Sequence, residues 1–303
     1  MDDECEKIDL DTADFPKLGG LPKWKKNLII GTVFAAFVII IIIIIVLIAT
    51  SGEKTEGRQK IGELLCNYET GSGQKPTKIL GENFKFDNNL QIKVGKNKKE
   101  IKFSKEYKFG NDEGKVVFDI FGPINMDYMF KDVSALTSIV MHSEKDAKIT
   151  SMVSTFENCE NLNDFTISGF STSQVKSMKN LFYNSKLSAI NLVELNTENV
   201  EDFSYMFASV NSDRIELSNL NTKNAKNMSH MFDSSNIAEF NLSNIDTSNV
   251  EDMSYMFKSC GSISSLDLTK FNTKKVKDMS GMFMDCISLI SIDVSIIFNE
   301  LQY

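Results

Sequence analysis

The side chains that most often do chemistry are few here. In 303 residues there are two histidines, His142 and His230, and five cysteines. Acid–base catalysis built on His, or a zinc site of His and Cys, has little material to draw on. Cys159, Cys260 and Cys286 each stand three residues after a phenylalanine, namely Phe156, Phe257 and Phe283. At the same distance after Phe182, Phe207 and Phe232 the chain has Ser185, Val210 and Ser235. A slot that accepts Cys, Ser or Val is a small buried position rather than a metal ligand. Cys260 and Cys286 belong to adjacent units, so a disulfide is geometrically conceivable beside the alternative of free thiols. No Ser–His–Asp or paired-carboxylate arrangement stands apart from the repeat, and no Gly-rich phosphate loop follows a strand. The expectation is a chain with no catalytic residue, no metal and no cofactor.

The elements that carry these residues repeat. Phe130, Phe156, Phe182, Phe207, Phe232, Phe257 and Phe283 are separated by 26, 26, 25, 25, 25 and 26 residues. Around them recur the boxes FSYMF (203–207), MSHMF (228–232), MSYMF (253–257) and MSGMF (279–283), each followed by an apolar run such as ISSLDL (263–268). A period near 25 with one strand-like run per unit is the pattern of a leucine-rich-repeat-like solenoid, in which single units cannot bury their own apolar face. One aromatic per rung is what a core column needs, so Phe156, Phe182, Phe207, Phe232, Phe257 and Phe283 are expected in the core. Inward strand positions would be Ile190/Leu192, Ile215/Leu217, Phe240/Leu242, Leu266/Leu268 and Ile292/Val294. Asp202, Asn227, Asp252 and Asp278 precede the boxes, as N-caps of one short helical turn would. Thr197, Thr222, Thr247 and Thr273 follow Asn or Asp, as a repeated turn would require. The expected class is therefore α/β, a solenoid over residues 122–303.

Upstream, Leu28 to Ala49 is apolar apart from Gly31 and Thr32 and includes seven consecutive isoleucines from Ile39 to Ile45. As a helix it would extend about 33 Å, enough for a ~30 Å hydrocarbon core. Residues 27–50 are thus expected to contact the lipid bilayer as a transmembrane helix. A cleaved signal peptide ending near Ala49-Thr50-Ser51 is the competing reading, disfavoured by the length of the run. Five Lys and Arg over residues 1–26, against three over 51–70, favour a cytosolic amino terminus and extracellular repeats. Residues 1–26 carry no apolar periodicity and are expected to be a disordered cytosolic tail. Residues 51–83 are expected as a stalk or linker. Period-two pairs such as Ile92/Val94 and Ile101/Phe103 make 84–121 a β-rich cap. A net charge of -8 leaves no basic stretch for a phosphate backbone, which argues against nucleic acid.

The box M-S-x-M-F-x-x-C, followed by L-x-x-L-D-L-S-x-F-x-T-x-x-V-x-x-M, resembles the BspA-type leucine-rich-repeat surface proteins. Residues 253–284 carry it best and residues 152–294 recognisably. The resemblance implies a surface protein that binds a protein or glycan ligand, without catalytic activity. The outward strand positions supply a candidate binding face, Asn191, Glu216, Asn241, Asp267 and Asp293, acidic and amide-rich. That column has no aromatic residue, so a solvated sheet face is the competing reading. The functional expectation is a membrane-anchored adhesion or recognition protein. The alternatives are a surface-coat scaffold, or a cytosolic interaction module if the topology is inverted.

Overall fold

The computed structural model describes residues 58–71, 75–110, 113–187, 189–190, 192–212, 215, 217–237 and 241–293. The chain divides into two units, residues 1–57 and 58–303, and the first lies outside the described residues. In the second unit the strands are β1 (Gly62–Tyr68), β2 (Thr77–Lys78), β3 (Leu90–Val94), β4 (Lys99–Ile101), β5 (Glu106–Tyr107) and β6 (Lys115–Ile120). They continue with β7 (Ile124–Asn125), β8 (Leu136–Ser151), β9 (Asp164–Ser171), β10 (Ala189–Ile190), β11 (Ser265–Asp267) and β12 (Ser291–Asp293).

One sheet runs β10-β9-β8-β1-β6-β3-β4, with β7 also on β8. Period-two alternation builds it. Leu64, Cys66 and Tyr68 of β1, Ile92 and Val94 of β3, and Val116, Phe118 and Ile120 of β6 turn one face into the core. β1 pairs antiparallel with β6 and β8, whereas β8 pairs parallel with β9. β8 is thus the strand at which a local antiparallel cap gives way to stacked repeats. Residues 62–68, assigned from the sequence to a stalk, are the strand at the centre of that cap.

Two expectations are corrected. Among the described residues there is no helix, so the α/β class gives way to an all-β solenoid with an antiparallel cap. The reason lies in the boxes, each of which has one residue in the left-handed region and a second one two residues beyond its end. In the unit around Phe207 these are Tyr205 and Ser209, at φ 58° and 56°. The pair recurs as Tyr128/Asp132, Ser154/Asn158, Asn180/Asn184, His230/Ser234, Tyr255/Ser259 and Gly281/Asp285. Two such residues within five break any right-handed helical turn. The second correction concerns the membrane. Among the described residues no helix is long and apolar enough to cross one, and the span expected at 27–50 lies outside them. The single-pass localisation, with cytosolic amino terminus and extracellular repeats, is accordingly withdrawn.

In place of a helical turn, each box is a ribbon of stacked turns with its backbone accounted for. The amides of Met206, Ala208 and Val210 close turns onto the carbonyls of Phe203, Tyr205 and Phe207. Those of Phe203, Tyr205, Phe207 and Ser209 donate to Asn227, Ser229, Met231 and Asp233 of the next unit at 2.7–3.1 Å. The amide of Ser204 donates to Asp202 Oδ1 at 2.9 Å. Asn227, Asp252 and Asp278 accept from Ser229, Ser254 and Ser280 in the same way, each at 2.8 Å. The residues expected as helix caps therefore close Asx turns. The left-handed residue falls third in its turn, the position at which a type II turn takes positive φ.

Inside the ribbon Phe130, Phe156, Phe182, Phe207, Phe232 and Phe257 are 0% exposed, and Phe283 is half-buried. Their rings stack face to face at centroid spacings of 5.5–6.0 Å. Phe118 of the cap closes the column edge-on against Phe130, 5.9 Å away at 78°. On another side of each rung, buried Thr172, Thr197, Thr222 and Thr247 donate Oγ1 to the carbonyls of Asn196, Asn221, Asp246 and Asn272 of the following unit. The repeated Asn/Asp-Thr pair is a rung-to-rung clamp.

Candidate binding surfaces of the repeats

The strand face expected to bind is partly committed to its own turns. Asn241 and Asp267 are exposed. Asn241 Oδ1 accepts from the Ser243 amide at 3.2 Å and its hydroxyl at 2.7 Å. Asp267 Oδ1 accepts from Thr269 Oγ1 at 2.6 Å and the Thr269 amide at 2.9 Å, and these bonds hold its carboxyl below the usual range. Asp267 and Asp293 are register partners across β11 and β12. Asn191 and Glu216 lie outside the described residues, as does the side chain of Asp293.

The repeated thiol slot has a physical explanation. Cys159, Cys260 and Cys286 donate Sγ–H to the carbonyls of Phe130, Phe232 and Phe257 in the preceding unit, at 3.1, 3.0 and 2.9 Å. Ser185 does the same to Phe156 at 2.7 Å. A small donor is what the slot selects, so Cys and Ser interchange, while Val210 fills the space without donating. All three cysteines are free. Burial pushes the Cys159 thiol up and the Cys260 thiol to about 11, and a thiol held protonated is a poor nucleophile. Among the described residues no group of three or more His, Cys, Asp and Glu is placed to hold a metal ion.

The cap holds a polar row that the sequence did not reveal. Gln91, Asp119, Glu63, His142 and Ser168 are register partners across β3, β6, β1, β8 and β9. Asp119 and Glu63 are buried, and Lys60 pairs with both while Lys93 reaches Asp119 at 2.8 Å. Burial works to lower the Lys60 pKa, but the hydrogen bonds and charges of Asp119 and Glu63 outweigh it and hold the ammonium above its ordinary value. With each carboxylate matched to a lysine, this row braces the sheet.

The surface that departs most from the sequence reading is aromatic. The left-handed residue of successive boxes projects Tyr205, His230 and Tyr255 into one stack. Tyr205 and His230 lie 4.3 Å apart at 7°, and His230 and Tyr255 4.8 Å apart at 18°. Tyr183 joins edge-on to Tyr205 at 6.2 Å. Gly281 ends the run, because a Cβ there would come within 2.3 Å of the Tyr255 ring. Charge flanks the stack. Asp233 Oδ2 is 2.7 Å from His230 Nδ1, and Lys258 lies 3.9 Å from Asp233 and 5.8 Å from the Tyr255 ring centroid. The variation Y, H, Y, G at the third box position already marks it in the sequence as an outward one; the structure adds that the three rings are half-buried against one another.

A family model described as "Mycoplasma protein of unknown function, DUF285" matches residues 124–242 and again 209–296, together more than half of the chain. The chain belongs to the DUF285 family. The two matches overlap, as expected of a model laid over stacked repeats. The DUF285 region starts at Ile124, at β7 and just before the first turn ribbon, so most of the antiparallel cap lies upstream of it. No curated protein and no solved structure matches the chain.

Proposed function

We propose that this DUF285 chain is a non-catalytic recognition or adhesion module that holds a protein or glycan partner through the outer edge of its turn ribbon. The observation that carries this reading is the Tyr205–His230–Tyr255 stack, flanked by Asp233 and Lys258. Tyrosine is among the residue types that concentrate binding energy at interfaces, and rings already held by neighbours lose little freedom on binding. The outward strand column has no aromatic residue, and Thr269 and Ser243 take one side-chain oxygen each of Asp267 and Asn241. A finer assignment, to the BspA-like kind of repeat with its M-S-x-M-F-x-x-C box, rests on the four boxes from 203 to 283 and on the Cys260 and Cys286 slots.

The test is binding of the full chain to immobilised arrays of glycans and of purified extracellular-matrix proteins, compared with a Tyr205→Ala/Tyr255→Ala variant of unchanged circular dichroism. Binding that falls at least about tenfold in the variant is the expected result, since interface tyrosines commonly carry more than ~1 kcal/mol each. Binding indifferent to the variant removes the ladder from the reading. Array silence together with self-association in sedimentation would replace recognition by the scaffold alternative.

A further inference from the structure

A second surface lies where the cap meets the first repeat. The loop between β2 and β3 contributes Asn83, Phe86 and Asn88, the end of β7 contributes Asn125, and the start of the first ribbon contributes Asp127 and Tyr128, around a cleft of about 520 Å³. Clefts of ~300–1,000 Å³ are the usual size for small ligands. Both walls are fastened. The Gly81 amide donates to the Met129 carbonyl at 2.8 Å, and a Cβ on Gly81 would fall 2.1 Å from the Tyr128 carbonyl oxygen, so only glycine permits the approach. Asn89 ties the same loop to Pro123 through Nδ2 at 2.8 Å, and Phe86 packs on Phe103 at 4.7 Å. The site is therefore preformed, which lowers the ordering cost of binding.

Its chemistry is specific. Asn83 and Asn88 are exposed, and their side-chain amides have no hydrogen-bond partner among the described residues. Asp127 uses Oδ1 on the Val153 amide at 2.8 Å, and Asp87 uses Oδ1 on the Asn89 amide at 2.8 Å, leaving the second oxygen of each. Lys85 also lines the cleft, and Lys131, over the Tyr128 ring at 5.8 Å, is paired with Glu157 at 2.7 Å, so opposite charges nearly balance there. Asn125 Oδ1 accepts from the Asp127 amide at 2.7 Å, which leaves its Nδ2 to donate. The Asn83 and Asn88 amides, which both donate and accept, this donor, carboxylate oxygens that accept, and two aromatic rings together match a ring with hydroxyls at its rim and C–H bonds on its face.

We propose that this cleft binds one or two units of a neutral glycan, with Phe86 and Tyr128 against the sugar faces and Asn83, Asn88 and Asn125 on the hydroxyls. It is a site separate from the aromatic ladder, so either can fail without the other. Isothermal titration of the full chain with galactose, glucose, N-acetylglucosamine and lactose, with sialic acid as a charged control, tests it. At least one neutral sugar is expected to bind with Kd of about 1 mM or tighter. The Asn83→Ala/Asn88→Ala variant should weaken it at least about tenfold, as loss of one to two hydrogen bonds implies. Tyr128→Asn, which keeps a side chain tolerant of positive φ, should also weaken it, whereas Tyr205→Ala/Tyr255→Ala should not. Silence toward all four neutral sugars, preference for sialic acid alone, or binding that survives the Asn83/Asn88 change would each overturn the assignment.

Discussion

Single residues in this solenoid are multiplied by the repeat, and their energetics follow their place in a column. Phe232 is fully buried between Phe207 and Phe257, at 5.8 and 5.5 Å. Its replacement by Ala should cost about 3–5 kcal/mol in a denaturant titration, the usual range for a buried aromatic. Phe283, half-buried, should cost clearly less; equal losses would show that burial does not set the scale. Cys260 adds a pH dependence. Burial raises its thiol from 9.0 to about 11, so folding favours the protonated form. The associated stabilisation is complete below pH 9, is lost as pH rises toward 11, and amounts to about 2–3 kcal/mol at most. The melting temperature of the native chain should therefore fall across that window relative to that of Cys260→Ser. A constant difference would contradict the raised value.

At the scale of elements, the turn ribbon behaves as a strand does, although no box forms a named strand. Alternate amides serve their own turn and the next rung, so hydrogen exchange at Phe203, Tyr205, Phe207 and Ser209 should be as slow as in β1. The ribbon depends on left-handed residues that need not be glycine. Ser259 has φ 55° and donates its amide to Met284 at 2.7 Å. Ser259→Val should cost about 1–2 kcal/mol, because a β-branched side chain is strained there, while Ser259→Gly should be close to neutral. Similar losses for both, measured by chemical denaturation, would mean that the turn does not impose that backbone. The exposed cross-rung pairs Lys226–Glu201 and Lys277–Glu251 contribute little by comparison, being open to water and salt.

For the whole molecule the consequential feature is continuity. Cap and repeats share one sheet through β8, and Phe118 of β6 closes the end of the phenylalanine column. Stability in a solenoid is carried by interfaces between neighbours, so loss at the cap should be felt by units beyond the first. Phe118→Ala is expected to raise exchange rates in the ribbon at 203–209, read by mass spectrometry. Unchanged rates there would make the cap an independent folding unit and leave the repeats to stand by themselves. The two proposed surfaces draw on this continuity differently. The ladder needs three consecutive rungs in register, whereas the junction cleft needs the cap docked on the first rung.

Periodicity in the chain was enough to determine the repeat, its length, the phenylalanine column and the strand character of the cap, because burial once per rung leaves the same residue at the same place. It also identified the Cys/Ser/Val slot as structural from Cys159, Ser185 and Val210 alone. Local propensity misled where two conformations share the same letters. An Asp or Asn two residues before Ser is equally a helix cap and an Asx turn, and the choice fell to the next rung, whose carbonyls take the amides of Phe203, Tyr205, Phe207 and Ser209. That inter-rung bonding made the class all-β. The stacking of Tyr205, His230 and Tyr255 followed from it, as did the cleft between Asn83 and Tyr128, which joins residues far apart in the chain. Repetition records which positions must be buried and which may vary; only the stacked backbone decides which of the varying side chains come together.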